Sequence, residues 1–358
     1  MLKQLNITNL TVLPHAPFSF GRNLNVVIGE NGAGKSHVLK AAYALLAALA
    51  EGKAASLSGE PTKGYLQAAV ASKLRGVFMP DELGRIASRR RGSTRCELAC
   101  EFADARHTLR VALNHRSKTE VAVERLPETW LNKAPVFLPT RELLTIFPGF
   151  TSLYAERVLP FEETWADTCK LLGRPLARGP KVAKVADLLG PLERAMGGSV
   201  EVDRSGHFYL RTESGRMEMH LVAEGLRKLA MLAYLIANGA LKEKGYLFWD
   251  EPEANLNPRL IKLVADTILR LSKGEIQVFI ATHSLYLMRE LHIRQKQDFP
   301  KLDARYFGLH LAGDHARVEG GKTIDEIGDI ASLDEELAQA DRYMDMDMEM
   351  GLLPGRKA

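Results

Sequence analysis

Leu24-Asn25-Val26-Val27-Ile28-Gly29-Glu30-Asn31-Gly32-Ala33-Gly34-Lys35-Ser36 is the stretch that decides the fold. Leu24 to Ile28 is an apolar run of the kind found in a buried central strand. It feeds a glycine-rich loop, and the residues from about Lys35 to Leu49 read as a helix. Gly29 to Ser36 has the Walker A spacing: glycine, four residues, then Gly-Lys-Ser. Glycines let successive backbone N–H groups turn inward, and with a helix N-terminus they make an anion site. Lys35 is expected to reach the β- and γ-phosphates of ATP, and the Ser36 hydroxyl to bind Mg²⁺. The phosphate-facing set is therefore Gly29, Asn31, Gly32, Ala33, Gly34, Lys35, Ser36 and His37.

Two further strand ends carry chemistry. Tyr246-Leu247-Phe248-Trp249-Asp250-Glu251-Pro252-Glu253 is an apolar strand ending in two acids, the Walker B pattern. Asp250 is expected to hold Mg²⁺, directly or through water. Glu251, one residue on, is placed to polarise an attacking water as general base. A strand-end acidic pair alone is more often a solvated turn; beside a P-loop it reads as functional. Phe279-Ile280-Ala281-Thr282-His283-Ser284 is a third such strand. A lone histidine is usually structural, but His283 falls where a residue sensing the γ-phosphate would sit, able to donate one hydrogen bond and accept another.

Walker A, then Asp250 to Pro258 (Asp-Glu-Pro-Glu-Ala-Asn-Leu-Asn-Pro), then Thr282-His283-Ser284 resembles the ABC-type ATPases, and more narrowly their SMC-, RecF- and OLD-like branch. Glu253 to Pro258 is similar to that branch's D-loop, which contacts the partner subunit. Val222-Ala223-Glu224-Gly225-Leu226-Arg227-Lys228 resembles the degenerate Ser-Glu-Gly signature of OLD-like ATPases, with Ala223 in place of serine. The resemblance implies that Ala223, Glu224 and Gly225 offer backbone donors to a nucleotide on the opposite copy. The missing hydroxyl implies slow hydrolysis. The Q-loop falls near Pro135 to Glu142, with no glutamine in it.

The same resemblance implies a homodimer or higher homo-oligomer closed through its ATP sites. Transporters carry Leu-Ser-Gly-Gly-Gln, which this chain lacks, and need membrane partners. No acid-clustered Toprim module follows His283. The leading expectation is thus an ATPase subunit controlling a separate effector, a nuclease or toxin, in a prokaryotic anti-phage defence system. The alternative is a RecF-like clamp that binds DNA in repair, and a stand-alone nucleotide hydrolase is a third reading.

Composition sets the bounds. The chain has 358 residues, 46% of them hydrophobic, enough for a core without metal or disulfide staples. A net charge of +4 is too weak to argue for nucleic acid by itself. Cys96, Cys100 and Cys169 read as small buried hydrophobes in a reducing cytosol. The start of the chain shows no signal-peptide pattern, so a cytoplasmic protein without membrane contact is expected.

The expected fold class is α/β: an ABC-type P-loop ATPase with a mixed central sheet, an antiparallel β subdomain and a helical insertion. The ATPase domain is expected over 1–315, with an irregular stretch plus β-meander over 51–130, a helical insertion over 141–197, and an acidic tail over 316–358. Leu5 to Phe20 read as two strands turning at Pro14-His15-Ala16-Pro17. The helical insertion is expected to break at Pro160, Pro175, Pro180 and Pro191, and Ala304 to Leu311 to be the last strand. Arg85 and Arg89-Arg90-Arg91 read as a solvated loop or a phosphate-binding patch. Met344 to Met350 reads as a helix with methionines packed on a partner.

Overall fold

Three apolar runs, Leu24 to Ile28, Tyr246 to Trp249 and Gln277 to Ala281, lie side by side as buried strands in the computed structural model, which describes residues 1–55, 59–88, 95–156, 160–176 and 183–350. The elements in chain order are β1 (Leu2–Leu10), β2 (Leu13–Ser19), β3 (Leu24–Gly29), α1 (Lys35–Ala55), α2 (Lys63–Phe78), β4 (Arg95–Phe102), β5 (Leu109–Asn114), β6 (Ala122–Arg125) and β7 (Pro135–Leu138). Next come α3 (Phe147–Ala155), α4 (Glu163–Leu172), α5 (Ala183–Met196), β8 (Gly198–Val202), β9 (Phe208–Thr212), β10 (Gly215–Glu218) and α6 (Glu224–Ala237). The chain continues through β11 (Tyr246–Asp250), α7 (Pro258–Ser272), β12 (Gln277–Thr282), α8 (Leu285–Gln297), β13 (Ala304–Ala312), β14 (His315–Gly321) and α9 (Ala331–Glu349).

The central sheet has the order β14-β13-β3-β12-β11-β7, parallel throughout except for β14. Side chains alternate across it, and each face meets its own core. Val26, Ile28, Leu247, Trp249, Val278 and Ile280 face the core shared with α6, α7 and α8. Val27, Phe248, Phe279 and Ala281 face the other, which contains α1 and α2. That second core is closed by the antiparallel sheet β2-β1-β4-β5-β6. Burial on both faces explains why these strands read as unbroken apolar runs. A small antiparallel sheet, β10-β9-β8, accompanies the helices α3 to α5. The fold is thus the α/β class expected, with mixed central sheet, antiparallel β part and helical part. Among the described residues no helix is long and apolar enough to cross a membrane.

Several local expectations are corrected. The first hairpin turns at Thr11-Val12, not at Pro14 to Pro17: Leu10 pairs with Leu13, and Thr11 takes φ 48°. Both prolines lie within β2, which tolerates them because it is an edge strand of its sheet. Pro191 lies inside α5 without ending it. Leu189, Leu192 and Met196 are buried there, and that packing outweighs one missing backbone donor. Ala304 to Leu311 is not the last strand. β14 pairs antiparallel along β13, so the central sheet runs beyond residue 315 into the stretch expected to be tail. Ile327 and Ile330 also sit in the core. Arg89-Arg90-Arg91, Pro180 and residues 351–358 of the tail lie outside the described residues. Arg85 is exposed and ion-paired to Asp81 at 2.8 Å. The three cysteines are buried and unpaired with one another.

Candidate functional site

Parallel strands deliver their C-terminal ends to one edge of a sheet, where ligands of open α/β folds bind. Here β3 ends at Gly29, β11 at Asp250 and β12 at Thr282, with Asp250 in register with Ala281 and Thr282 with Ile28. Three stretches far apart in sequence are therefore neighbours at that edge. Two of the helices leaving it are capped by residues of the motifs themselves. Asn257 accepts from the Leu260 N–H ahead of Pro258 at the start of α7, and Ser284 accepts from the Leu287 N–H at the start of α8.

The loop from Glu30 to Gly34 leads straight into α1. Gly34 takes φ 92°, and a Cβ there would lie 2.9 Å from Val12, so a side chain is excluded twice over. Lys35 is 5% exposed, and its Nζ donates to the Glu30 carbonyl at 2.9 Å, closing the loop on itself. Burial lowers the Lys35 pKa, and the carboxylates of Glu251, Asp250, Glu253 and Glu30 oppose that. Ser36 Oγ donates to Asp250 Oδ1 at 3.0 Å, joining Walker A to Walker B. His37 takes a different direction: its Nδ1 lies 2.8 Å from the Thr11 hydroxyl and its ring packs near Phe78.

Asp250 tests whether the site suits Mg²⁺. It is 8% exposed, and burial pushes its carboxyl up to about 6, with Ser36, Lys40 and Lys35 acting against the shift. A buried carboxylate under-supplied with positive charge, touching a hydroxyl, is a donor pair that fits a hard divalent cation. Among the described residues no three metal-ligating His, Cys, Asp or Glu side chains converge. That agrees with a cation completed by substrate phosphates and water.

Glu251 adopts φ 45°, a left-handed conformation uncommon outside glycine, and its N–H donates to the Ala281 carbonyl at 2.9 Å. The turn brings Glu251 Oε1 to 3.1 Å from His283 Nδ1. His283 Nδ1 is also 3.9 Å from Glu253 Oε1. Glu253 is 6% exposed and accepts from the Thr282 hydroxyl at 2.5 Å. Its other oxygen is buried without a hydrogen-bond partner among the described residues, and burial raises its pKa against the pull of that hydroxyl.

Lys35, Ser36, Asp250, Glu251 and His283 are thus brought together. Ala223, Glu224 and Gly225 are not: among the described residues no hydrogen bond or ion pair joins them to Gly29–Ser36. They open α6, with Ala223 at the N-cap and no side-chain cap, and they pack on the chain's own D-loop. Asn255 Nδ2 donates to Glu224 Oε1 at 2.9 Å, and a Cβ on Gly225 would fall 2.7 Å from the Asn255 carbonyl oxygen.

A family profile described as "AAA domain, putative AbiEii toxin, Type IV TA system" matches residues 102–289, more than half of the chain. The chain belongs to this AAA-domain family. No curated protein matches it in sequence. Among solved structures, an Smc head bound to the C-winged helix domain of ScpA is similar at TM-score 0.56 and 14% identity, covering 89% of this chain and 97% of that one. An Smc head domain with an extended coiled coil, bound to the C-terminal domain of ScpA derived from Pyrococcus furiosus, is similar at TM-score 0.52 and 13% identity, covering 96% and 99%. At such identities the likeness is one of fold, and the fold is that of an ABC-type ATPase head.

Three residues of this AAA domain work in the site's surroundings without having stood out in sequence. Glu142, in the Q-loop segment, is 8% exposed and accepts from the Leu144 N–H at 2.8 Å and the Thr145 hydroxyl at 2.8 Å. It also meets Arg227 of α6 at 3.2 Å, while Arg141 beside it is exposed. The third is Lys228, 3% exposed, whose Nζ donates to the Glu251 carbonyl at 2.6 Å and the Ala254 carbonyl at 3.3 Å. Burial brings its pKa down to about 8 despite Glu253, Glu251, Asp250 and Glu224. A cation opening the apolar run Leu229 to Ile236 was the available signal, since lysine is almost never fully buried without a task.

Proposed function

We propose that the chain is a Mg²⁺-dependent ATP hydrolase of the cytoplasm that works as a two-copy switch, controlling a separate effector in a prokaryotic anti-phage defence system. The carrying observation is the pair of contacts at one sheet edge: Ser36 to Asp250 at 3.0 Å and Glu251 to His283 at 3.1 Å. In this reading Lys35 exchanges the Glu30 carbonyl for β- and γ-phosphate oxygens, and the P-loop N–H groups hold the rest of the triphosphate. Ser36 and Asp250 would hold Mg²⁺, which neutralises charge on the β- and γ-oxygens when bound. Glu251 takes the proton of the attacking water, and His283 fixes the Glu251 carboxylate while standing near the γ-phosphate. Ala223 to Gly225 cap the nucleotide of the second copy with backbone donors, so ATP favours the closed pair and hydrolysis releases it.

The defence role draws on the family description, which joins an AAA domain to a toxin–antitoxin system. Control of a separate protein draws on the Smc heads, each of which is bound to a domain of ScpA. The test is Glu251→Gln with and without Mg²⁺-ATP, followed by light scattering. Turnover should fall at least 100-fold while ATP converts monomer to dimer, since binding is kept and hydrolysis blocked. An ATP-loaded variant that stays monomeric sinks the switch. Adding the product of the neighbouring gene should then give an ATP-dependent complex or a change in that product's activity. A salt-sensitive, ATP-dependent shift of duplex DNA in its place would favour the RecF-like clamp.

A further inference from the structure

Lys228 is a poor choice of residue for stability alone. An ammonium 97% removed from solvent pays a desolvation cost that its two carbonyl acceptors only partly return, and an unbranched apolar side chain would fill the slot more cheaply. Its two acceptors are the carbonyls of Glu251 and Ala254, the ends of the turn that carries the catalytic carboxylate. That turn needs holding. Glu251 sits at φ 45°, and the Ala254 N–H adds a bond to the same Glu251 carbonyl at 3.1 Å. Lys228 stands three residues after Gly225 on the first turn of α6, the helix whose N-terminus faces the second nucleotide in the proposed pair.

We propose that Lys228 is a positioning residue for Glu251: it clamps the Glu251–Ala254 turn to the start of α6, so that seating the signature turn on one nucleotide sets the hydrolytic carboxylate at the other. The Asn255–Glu224 hydrogen bond and the close approach of Gly225 to the Asn255 carbonyl make the same joint rigid. The two sites of a dimer are then coupled through a single short strut in each copy. The buried, half-satisfied Glu253 lies under this strut and keeps the lysine charged by its field. The inference rests on the reading of Glu251 as the hydrolytic base.

The experiment compares Lys228→Met, Lys228→Gln and Lys228→Arg with the wild type in steady-state ATP turnover, alongside thermal melts and ATP-dependent dimerisation. The Met variant should lose at least tenfold in kcat with KM for ATP within about twofold, and should still dimerise with ATP. Gln, which keeps one donor, should fall between, and Arg should recover most of kcat. A purely structural lysine would instead lower the melting temperature and move kcat and KM together. Wild-type kcat in the Met or Gln variant overturns the proposal, as does a loss confined to KM. Should the Met variant fail to fold, the Gln and Arg variants decide on the same readout. Turnover that survives Glu251→Gln would remove the base assignment itself, whereas Glu251-dependent turnover indifferent to position 228 removes only the strut.

Discussion

At the scale of single residues, Asp250 carries a conflict between folding and function. Its carboxyl is raised to about 6 from 3.8 by burial, so between about pH 4 and 6 the folded chain binds more protons here than the unfolded chain does. Stability contributed by this group therefore falls as pH rises through that window, and the penalty, at most about 3 kcal/mol, persists above it. Asp250→Asn removes the charge while leaving an oxygen for the Ser36 hydroxyl. Without nucleotide and divalent cation it should melt higher than wild type at pH 7.5, with the gap closing towards pH 4. In Mg²⁺-ATP its turnover should drop at least 100-fold. Calorimetry at the two pH values with a phosphate-release assay checks both halves, and a variant melting lower at pH 7.5 refutes the account. Lys35, Ser36, Asp250 and Glu251 were legible because each stands at a fixed offset from a glycine loop or a strand end. Lys228 and Glu142 were not, since their partners lie 23 and 85 positions away and only packing brings them close.

At the scale of elements, local preference and packing give opposite predictions at Gly225. It lies in the first turn of α6, where alanine is the better helix former by about 1 kcal/mol. Yet a Cβ would meet the Asn255 carbonyl at 2.7 Å and Leu256 at 3.2 Å. A backbone oxygen cannot step aside without moving the D-loop, so Gly225→Ala should destabilise by about 1–3 kcal/mol and cut turnover at least tenfold. Urea titration with turnover measured in parallel checks this; a variant more stable than wild type shows that α6 and the D-loop do not press together. The same contest explains where element boundaries escaped sequence reasoning. Proline signals at Pro14, Pro17 and Pro191 point to breaks, but an edge strand and a well-buried helix face absorb them. Propensity is local; the outcome is set by what each element leans on.

At the scale of the whole molecule, the central sheet was readable because strands buried on both faces leave unbroken apolar runs, whereas β14, partly exposed and polar in alternate positions, left no such mark. The seam between two copies leaves a weaker mark still, and Ala223 is where it can be tested. Ala223 is the N-cap of α6 at φ −58°, ψ 140°, with no side-chain cap. Ala223→Ser would do two separable things. Within one chain its oxygen would accept from an N–H of the first turn, adding about 1 kcal/mol, or about 2 °C in melting temperature without nucleotide. Between two chains its hydroxyl proton would remain free to donate to the γ-phosphate of the other copy. A hydrogen bond to a charged group contributes about 1.5–3 kcal/mol, so two such seams should tighten the ATP-dependent dimer by well over tenfold. Measured in the Glu251→Gln background, where hydrolysis does not reopen the pair, that tightening reads the seam directly. A rise in melting temperature with no gain in pairing would mean that the serine caps its own helix but faces no phosphate, and each copy would then have to hydrolyse ATP by itself.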